Sequence, residues 1–297
     1  MAIQIPIIMY HRIGGIHTRN LYQGYADANI VTPENTFYSQ IKKLLKYYSI
    51  ISLEDLVKNI TDGFILPAHP CVITFDDGFH EMYDTVFPIL MTLNLSATFF
   101  ISGNYLAGTN HVRWLDSYYQ LLDSGPSTYI DAIIRNTYPK LQNTTDVRTA
   151  FKYLLHQLPL EEKYQQLSGL RQVLGAQVNI QLLNESLYLS TKHIAEMAKD
   201  GMSFGAHSMT HQVMAGLSRD VVVREVDESI RNIREITKQK KVAFAYPFGG
   251  VDSYTIETMS IVRDSSAMCG CTSIPEMNNP RTSVFELRRI PAETLVL

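Results

Sequence analysis

Short apolar runs alternate along this chain with stretches of helical periodicity. Ile5 to Met9 reads as a first buried strand. Phe37, Ile41, Leu44, Leu45 and Tyr48 then fall on one helix face, and Thr32-Pro33-Glu34 predicts its start, with Thr32 as cap and Pro33 in the first turn. Ser52 is placed to cap a second short helix, whose apolar side is Leu53, Leu56, Val57 and Ile60. Cys71 to Phe75 is the next buried run, and it ends in Asp-Asp-Gly. Residues 80–92 suit a helix that Pro88 must kink or end, and Ser96 to Ser102 reads as a strand.

The rhythm breaks between about 104 and 190. Segments 129–138, 147–158 and 161–175 carry helical spacing, clearest in Phe151, Leu154, Leu155 and Leu158. This predicts a mainly helical insertion. Alternation resumes with a helix capped by Thr191 and ended at Asp200-Gly201, then a strand from Met202 to Ala206. Ser218 to Lys238 is a long amphipathic helix with Val222, Val226, Ile230 and Ile233 inward; its charges, such as Arg224 with Glu228, read as a solvated face. A strand at 242–246, a turn at 247–250, a helix at 252–263, a strand at 267–271 and a last strand near 287–290 complete the pattern. Repeated strand–helix units predict an α/β fold, its parallel sheet closed into a barrel or doubly wound. The whole of 1–297 reads as one domain carrying the insertion.

Composition narrows the classes. With 45% hydrophobic and 19% charged residues the chain can bury a core, and its net charge of −3 argues against a partner held by nucleic-acid phosphates. No apolar run approaches the ~20 residues a membrane span needs. The stretch from Met1 to Tyr10 lacks a basic leader region and a cleavage site, so a cytoplasmic location is expected; if the sequence is a piece of a longer one, export is the expectation instead. Cys71, Cys269 and Cys271 are too few for a disulfide framework, and Cys269 and Cys271 read as small buried hydrophobes rather than a metal or redox pair.

Four segments at strand ends can carry chemistry, since parallel α/β folds place their sites there. After one strand come Asp76 and Asp77, adjacent carboxylates that point in different directions, so one can bind a metal while the other faces substrate or water. After another come His207 and His211, four apart and able to converge on one cation. One Asp and two His make three ligands and leave positions open, as catalytic metal sites do. Such a cation polarises a carbonyl, and the spare carboxylate takes a proton from water, which predicts hydrolysis of an ester or amide. The third segment, Phe244-Ala245-Tyr246-Pro247-Phe248-Gly249-Gly250, is a strand-to-turn that offers a backbone N–H to an oxyanion and aromatics to a sugar. The fourth is Met9-Tyr10-His11-Arg12-Ile13, where His11 is a candidate general acid.

These segments resemble the polysaccharide deacetylases of the NodB-homology class, carbohydrate esterase family four. Thr-Phe-Asp-Asp-Gly at 74–78 is similar to that family's first motif, His-Ser-Met-Thr-His at 207–211 to its second, and Ala-Tyr-Pro-Phe-Gly at 245–249 to a variant of its third. The resemblance implies a distorted (β/α) barrel and a divalent metal, usually Zn²⁺, with Co²⁺, Ni²⁺ or Mn²⁺ as alternatives. It also implies Asp77, His207 and His211 as metal ligands, Asp76 as general base and the Phe248 N–H as oxyanion donor, with Tyr246 and Pro247 beside it. The family's acid is a His near the C-terminus, but no His follows His211 here. Tyr10-His11 resembles instead the circularly permuted subgroup acting on poly-N-acetylglucosamine, so His11 becomes the acid. The third motif's Arg, which orients the base, is replaced by Ala245, and Arg288 or Arg289 is the candidate substitute. Trp114 lies in the insertion and does not match the family's Trp motif.

The expected activity is removal of acetyl, chiefly N-acetyl, from an amino-sugar glycan or its precursor. The expected partner is an N-acetylated sugar or oligosaccharide. Three alternatives stand beside it: an O-acetyl esterase, a carbohydrate-binding pseudoenzyme, and a scaffold in a glycan-synthesis complex.

Overall fold

The computed structural model describes residues 4–14 and 22–295. The leaderless reading of Met1, Ala2 and Ile3 lies outside those residues. Ten strands run through the described chain: β1 (Ile7–Tyr10), β2 (Arg12–Gly14), β3 (Val31–Pro33), β4 (Ser49–Ile50), β5 (Pro70–Phe75), β6 (Thr98–Ile101), β7 (Ser203–Ala206), β8 (Val242–Ala245), β9 (Ala267–Cys271) and β10 (Ile290–Pro291). Eight form one sheet in the order β10-β1-β5-β6-β7-β8-β9, with β4 also on β5, and β2 pairs separately with β3. All of these pairings are parallel.

The C-terminal segment curls this sheet toward closure. Leu287 exchanges backbone hydrogen bonds with β9 and its extension, accepting from Thr272 N–H at 2.7 Å and donating to the Gly270 carbonyl at 2.9 Å. Three residues later β10 lies beside β1, with Ile290 opposite Ile8. One stretch therefore touches both outer strands, and the result is the distorted (β/α) barrel expected.

Strand alternation divides the apolar residues into two cores. Ile7, Val72, Phe100, Ala243, Ala245, Cys269, Cys271 and Leu287 form the smaller cluster. Ile8, Ile73, Phe75, Phe99, Phe204 and Phe244 take the opposite face and pack into the larger cluster with the helices. The inner space is tight: a Cβ on Gly205 would lie 2.5 Å from the Phe100 ring. Cys269 and Cys271 are both buried in the smaller cluster, as small hydrophobes would be.

Local chemistry moves several boundaries. Val31–Pro33 form β3 rather than capping the next helix, which begins at Glu34, and the Thr32 hydroxyl turns to Glu293 at 3.3 Å. Ser190, not Thr191, caps the helix Thr191–Lys199, because its side chain and that of His193 make a reciprocal capping box. Thr255 and Thr258 make a second capping box, which starts that helix at Ile256 rather than 252. Pro88 cannot donate to the residue four back, and the chain meets it with a wide π turn over Met82–Val86 before the helix Phe87–Thr92.

Between β6 and the helix Thr191–Lys199 the chain forms five α-helices: Trp114–Leu122, Ser127–Thr137, Val147–Gln157, Leu160–Leu174 and Ile180–Leu187. Tyr188 and Leu189 return to the barrel beside Gly78 and Phe79, where Leu189 N–H donates to the Gly78 carbonyl at 2.9 Å. No helix among the described residues is long and apolar enough to cross a membrane.

Candidate active site

β1, β5, β7 and β8 all end at one cavity of about 540 Å³. His11, Asp76, Asp77, His207, His211 and Phe248 line it, although they are spread over most of the sequence. Strand period explains Asp76: Val72 points into the smaller core, so Thr74 and Asp76 follow on that face. Its backbone N–H donates to the Tyr10 carbonyl at 2.9 Å, the last rung of the ladder. Asp77 then adopts a left-handed φ of 78°, which swings its carboxylate out of the strand alternation. Ser208, His211 and Phe248 are also left-handed, so four of the nine non-glycine positive-φ residues belong to this site. Such conformations persist only where the surroundings over-determine them.

Arg289 fixes the Asp76 side chain. Its Nη1 and Nη2 donate to the two Asp76 oxygens at 2.6 and 2.7 Å, and its Nε donates to the Thr272 carbonyl at 2.7 Å. Both side chains are buried, and the guanidinium sits 5.3 Å from the Phe100 ring centre. Burial alone would raise the Asp76 pKa, but the charge of Arg289, joined by His207, outweighs it and holds the carboxyl below its ordinary range. Arg288 turns away and pairs with the partly exposed Glu276, as the next residue of an extended segment must. Of the two candidate substitutes, Arg289 is the one that engages Asp76.

Asp77, His207 and His211 bring one ligand atom each within 4.8 Å of one another, and all three are buried. His211 Nε2 lies 3.1 Å from Asp77 Oδ1, and His207 Nε2 lies 3.8 Å from the same oxygen. His207 Nδ1 is 2.8 Å from the Ala245 carbonyl, which can only accept, so Nδ1 carries the proton and Nε2 keeps its lone pair. Burial first, with His211 nearby, pushes the His207 pKa down to about 4, the neutral form a metal ligand needs. Asp77 Oδ1 is buried without a hydrogen bond of good geometry. A carboxylate oxygen and two imidazole nitrogens that converge within 4.8 Å fit a divalent cation.

Glu225 holds the loop that presents the two histidines. Its carboxylate accepts from Met209 N–H at 2.8 Å, from Thr210 N–H at 2.9 Å and from the Thr210 hydroxyl at 2.6 Å. Among the charges of its helix the sequence gives no sign that this one turns inward. Glu225→Ala is expected to lower divalent-metal affinity roughly 10–100-fold, the usual cost of losing an orienting partner. Calorimetric titration of the stripped protein checks this, and an unchanged affinity would remove Glu225 from the site.

Arg113 is the second charge that sequence reasoning missed. Its Nη1 contacts Asp77 Oδ1, while Nε and Nη2 donate to Asp116 at 2.7 and 3.0 Å. Tyr25 donates to Asp116 Oδ1 at 2.5 Å and Tyr188 to Oδ2. Burial would raise the Asp77 pKa, yet Arg113 and then His211 carry it well below the ordinary range. The only sequence cue was a cation and an acid three apart at the start of a helix, Arg113 with Asp116.

His11 leaves β1 into the cavity, and its Nδ1 is buried without a hydrogen-bond partner. Phe248 presents its ring to His211 at 5.0 Å and to His156 at 5.3 Å. The Ser273 hydroxyl donates to the Phe248 carbonyl at 2.5 Å, which pins this turn. Tyr246 and Pro247 do not line the cavity, contrary to expectation. Tyr246 follows Phe244 on the outward face, stacks on Tyr254 at 4.5 Å and donates to the Phe285 carbonyl at 2.9 Å. The insertion, in turn, supplies Leu115, Tyr119, Lys152 and His156 to the cavity wall.

The family model for polysaccharide deacetylase matches residues 66–262, about two thirds of the chain. The chain belongs to the polysaccharide deacetylase family. That makes it a glycan deacetylase by family, a hydrolase in a class whose members depend on a metal. No curated protein sequence matches this polysaccharide deacetylase significantly. Among solved structures it is similar to the Streptococcus pyogenes deacetylase PplD in complex with acetate, at 19% identity and a TM-score of 0.63, over 98% of this chain and 93% of that one. It is also similar to IcaB from Ammonifex degensii, at 16% identity and a TM-score of 0.61, over 97% and 91% of the two chains. A de-N-acetylase from Aggregatibacter actinomycetemcomitans gives 13% and 0.60, over 99% and 97%. At these identities the structural likeness speaks for the fold.

Proposed function

We propose that this chain, acting as one catalytic unit, hydrolyses N-acetyl groups from an amino-sugar-containing glycan or glycan precursor. The observation that carries the reading is the pairing of a base with a metal site. Asp76, gripped bidentately by Arg289, stands 3.9 Å from His207 Nε2 at the edge of the Asp77–His207–His211 cluster. Those three side chains would hold the divalent ion, with Zn²⁺ best suited to two imidazoles and a carboxylate. Bound there, it would supply Lewis-acid polarisation of the acetamide carbonyl.

The protein's own groups account for the proton movements. Arg289 occupies one lone pair on each Asp76 oxygen, so the remaining ones face the cavity and take the proton of the attacking water. The Phe248 N–H makes no hydrogen bond among the described residues and is the donor for the developing oxyanion. His11 delivers a proton to the departing sugar amine. Water thus adds to the acyl carbon, the C–N bond breaks, and acetate and a free amine leave. A missing arginine at Ala245 would favour a pseudoenzyme, but the Arg289–Asp76 pair supplies the arginine from the C-terminal segment and supports turnover.

Acetate release from N-acetylglucosamine oligomers by stripped protein tests the reading, with Zn²⁺, Co²⁺ or no metal added back. Release is expected only with metal, and Asp76→Asn is expected to lower it by roughly 100-fold or more while leaving metal uptake intact. Stoichiometric uptake without release from any acetylated sugar would overturn the deacetylase reading. Failure to take up metal would overturn the ligand assignment.

A further inference from the structure

The charges that line the cavity are unevenly paired. Arg113 is neutralised by Asp77 and Asp116, and of the arginines next to the lining, Arg289 pairs with Asp76 and Arg12 with Glu81 at 2.5 Å. Lys152 is different. It lines the cavity from the helix Val147–Gln157, and among the described residues no carboxylate forms an ion pair with it. Its ammonium lies 6.0 Å from the centre of the Tyr119 ring, another lining residue.

His156 stands one turn further along the same helix and also lines the cavity. Its ring meets Trp114 edge-on at 4.8 Å. Trp114 also carries Lys163, which is buried, whose ammonium is 4.9 Å from the indole centre and which has no acidic partner among the described residues. Burial, then the charges of Lys163 and Lys152, push the His156 pKa down to about 4. At neutral pH it is therefore an uncharged N–H donor beside two cations. Glu293, from the segment that follows β10, also lines the cavity and has no ion-pair partner among the described residues.

We propose that Lys152 and His156, with Lys163 behind them, form a subsite for an anionic substituent, phosphate or carboxylate, on the acetylated sugar. An unpaired cation on the wall of a partly enclosed cavity, with a second one buried behind it, gives a field that favours a bound anion. The subsite lies on the wall that the insertion adds, apart from Asp76 and the His pair. It is a binding contact, so it acts mainly on KM. The proposal rests on the deacetylase reading for its ligand, an acetylated sugar.

The test compares neutral N-acetylglucosamine oligomers with N-acetylglucosamine 1-phosphate, N-acetylglucosamine 6-phosphate and an N-acetylated disaccharide bearing a uronate. Each is assayed with Zn²⁺-loaded wild type, Lys152→Gln and Lys152→Arg. At least one anionic substrate is expected to exceed the neutral ones in kcat/KM by about tenfold or more, the worth of one charge-assisted hydrogen bond. Lys152→Gln should erase that preference through KM, and Lys152→Arg should keep it. Whether the phosphates or the uronate gain identifies the anion. A wild type without anion preference, or a preference that survives Lys152→Gln, overturns the subsite. If no substrate releases acetate, the deacetylase reading fails separately, and calorimetric titration of the same sugar phosphates decides. Binding weakened about tenfold in Lys152→Gln supports the subsite, and equal or absent binding overturns it.

Discussion

Arg289→Met is expected to destabilise the protein by about 3–5 kcal/mol, because it strands the buried Asp76 carboxylate without its cation. Asp76→Asn is expected to be milder in stability but to lower kcat by roughly 10²–10⁴-fold, the usual share of a general base. The double variant should be more stable than the sum of the two losses predicts, since neither buried charge then lacks its partner. Arg289→Lys keeps the charge but not the two-pronged grip at 2.6 and 2.7 Å, so it should recover more stability than turnover. Urea unfolding of the four variants together with acetate release decides the matter. Strict additivity of the single losses would show that the pair is not coupled.

The parts of this molecule that short segments encode were legible before any coordinates. Each of Tyr10-His11, Asp76-Asp77 and His207 follows an apolar strand, and parallel strands that end at one rim bring such segments together whatever lies between them in sequence. The missing arginine at Ala245 was legible as a deficit. Arg289 answers it because the C-terminal segment bridges β9 and β1 and passes over the end of β5. What was hidden depends on distant packing. β2, β3 and β4 are two or three residues long, too short for any periodicity. Glu225 turns inward from a helix rich in charge, where spacing alone reads as a solvated face. The strand expected at 242–246 is present, but which face Tyr246 takes depends on packing, and β-alternation carries its ring into the outer core behind Phe244. Arg113 meets Asp77 only because a helix of the insertion starts beside the barrel rim.

That last contact makes a prediction of comparable size. Arg113→Met removes the one cation shared by Asp77 and Asp116, two carboxylates that are both buried. Tyr25 and Tyr188 still donate to Asp116, but hydroxyl hydrogen bonds do not cancel a full charge. The metal-free variant is therefore expected to lose about 3–5 kcal/mol of stability. Asp116→Asn added to it should return part of that loss, by removing one of the two stranded charges. The sign of the metal effect follows from the same geometry. In the wild type a divalent ion arrives at an Asp77 already neutralised by Arg113, whereas in Arg113→Met it arrives at an unpaired carboxylate. Zn²⁺ should then raise the thermal midpoint of Arg113→Met by more than it raises that of the wild type, since a ligand that binds only the folded form stabilises it according to its affinity. Thermal unfolding with chelator and with Zn²⁺ measures both. A loss below about 1 kcal/mol would mean that Arg113 carries little of the charge balance. A smaller Zn²⁺ shift in the variant would mean that Arg113 serves instead to hold Asp77 in the orientation the ion requires.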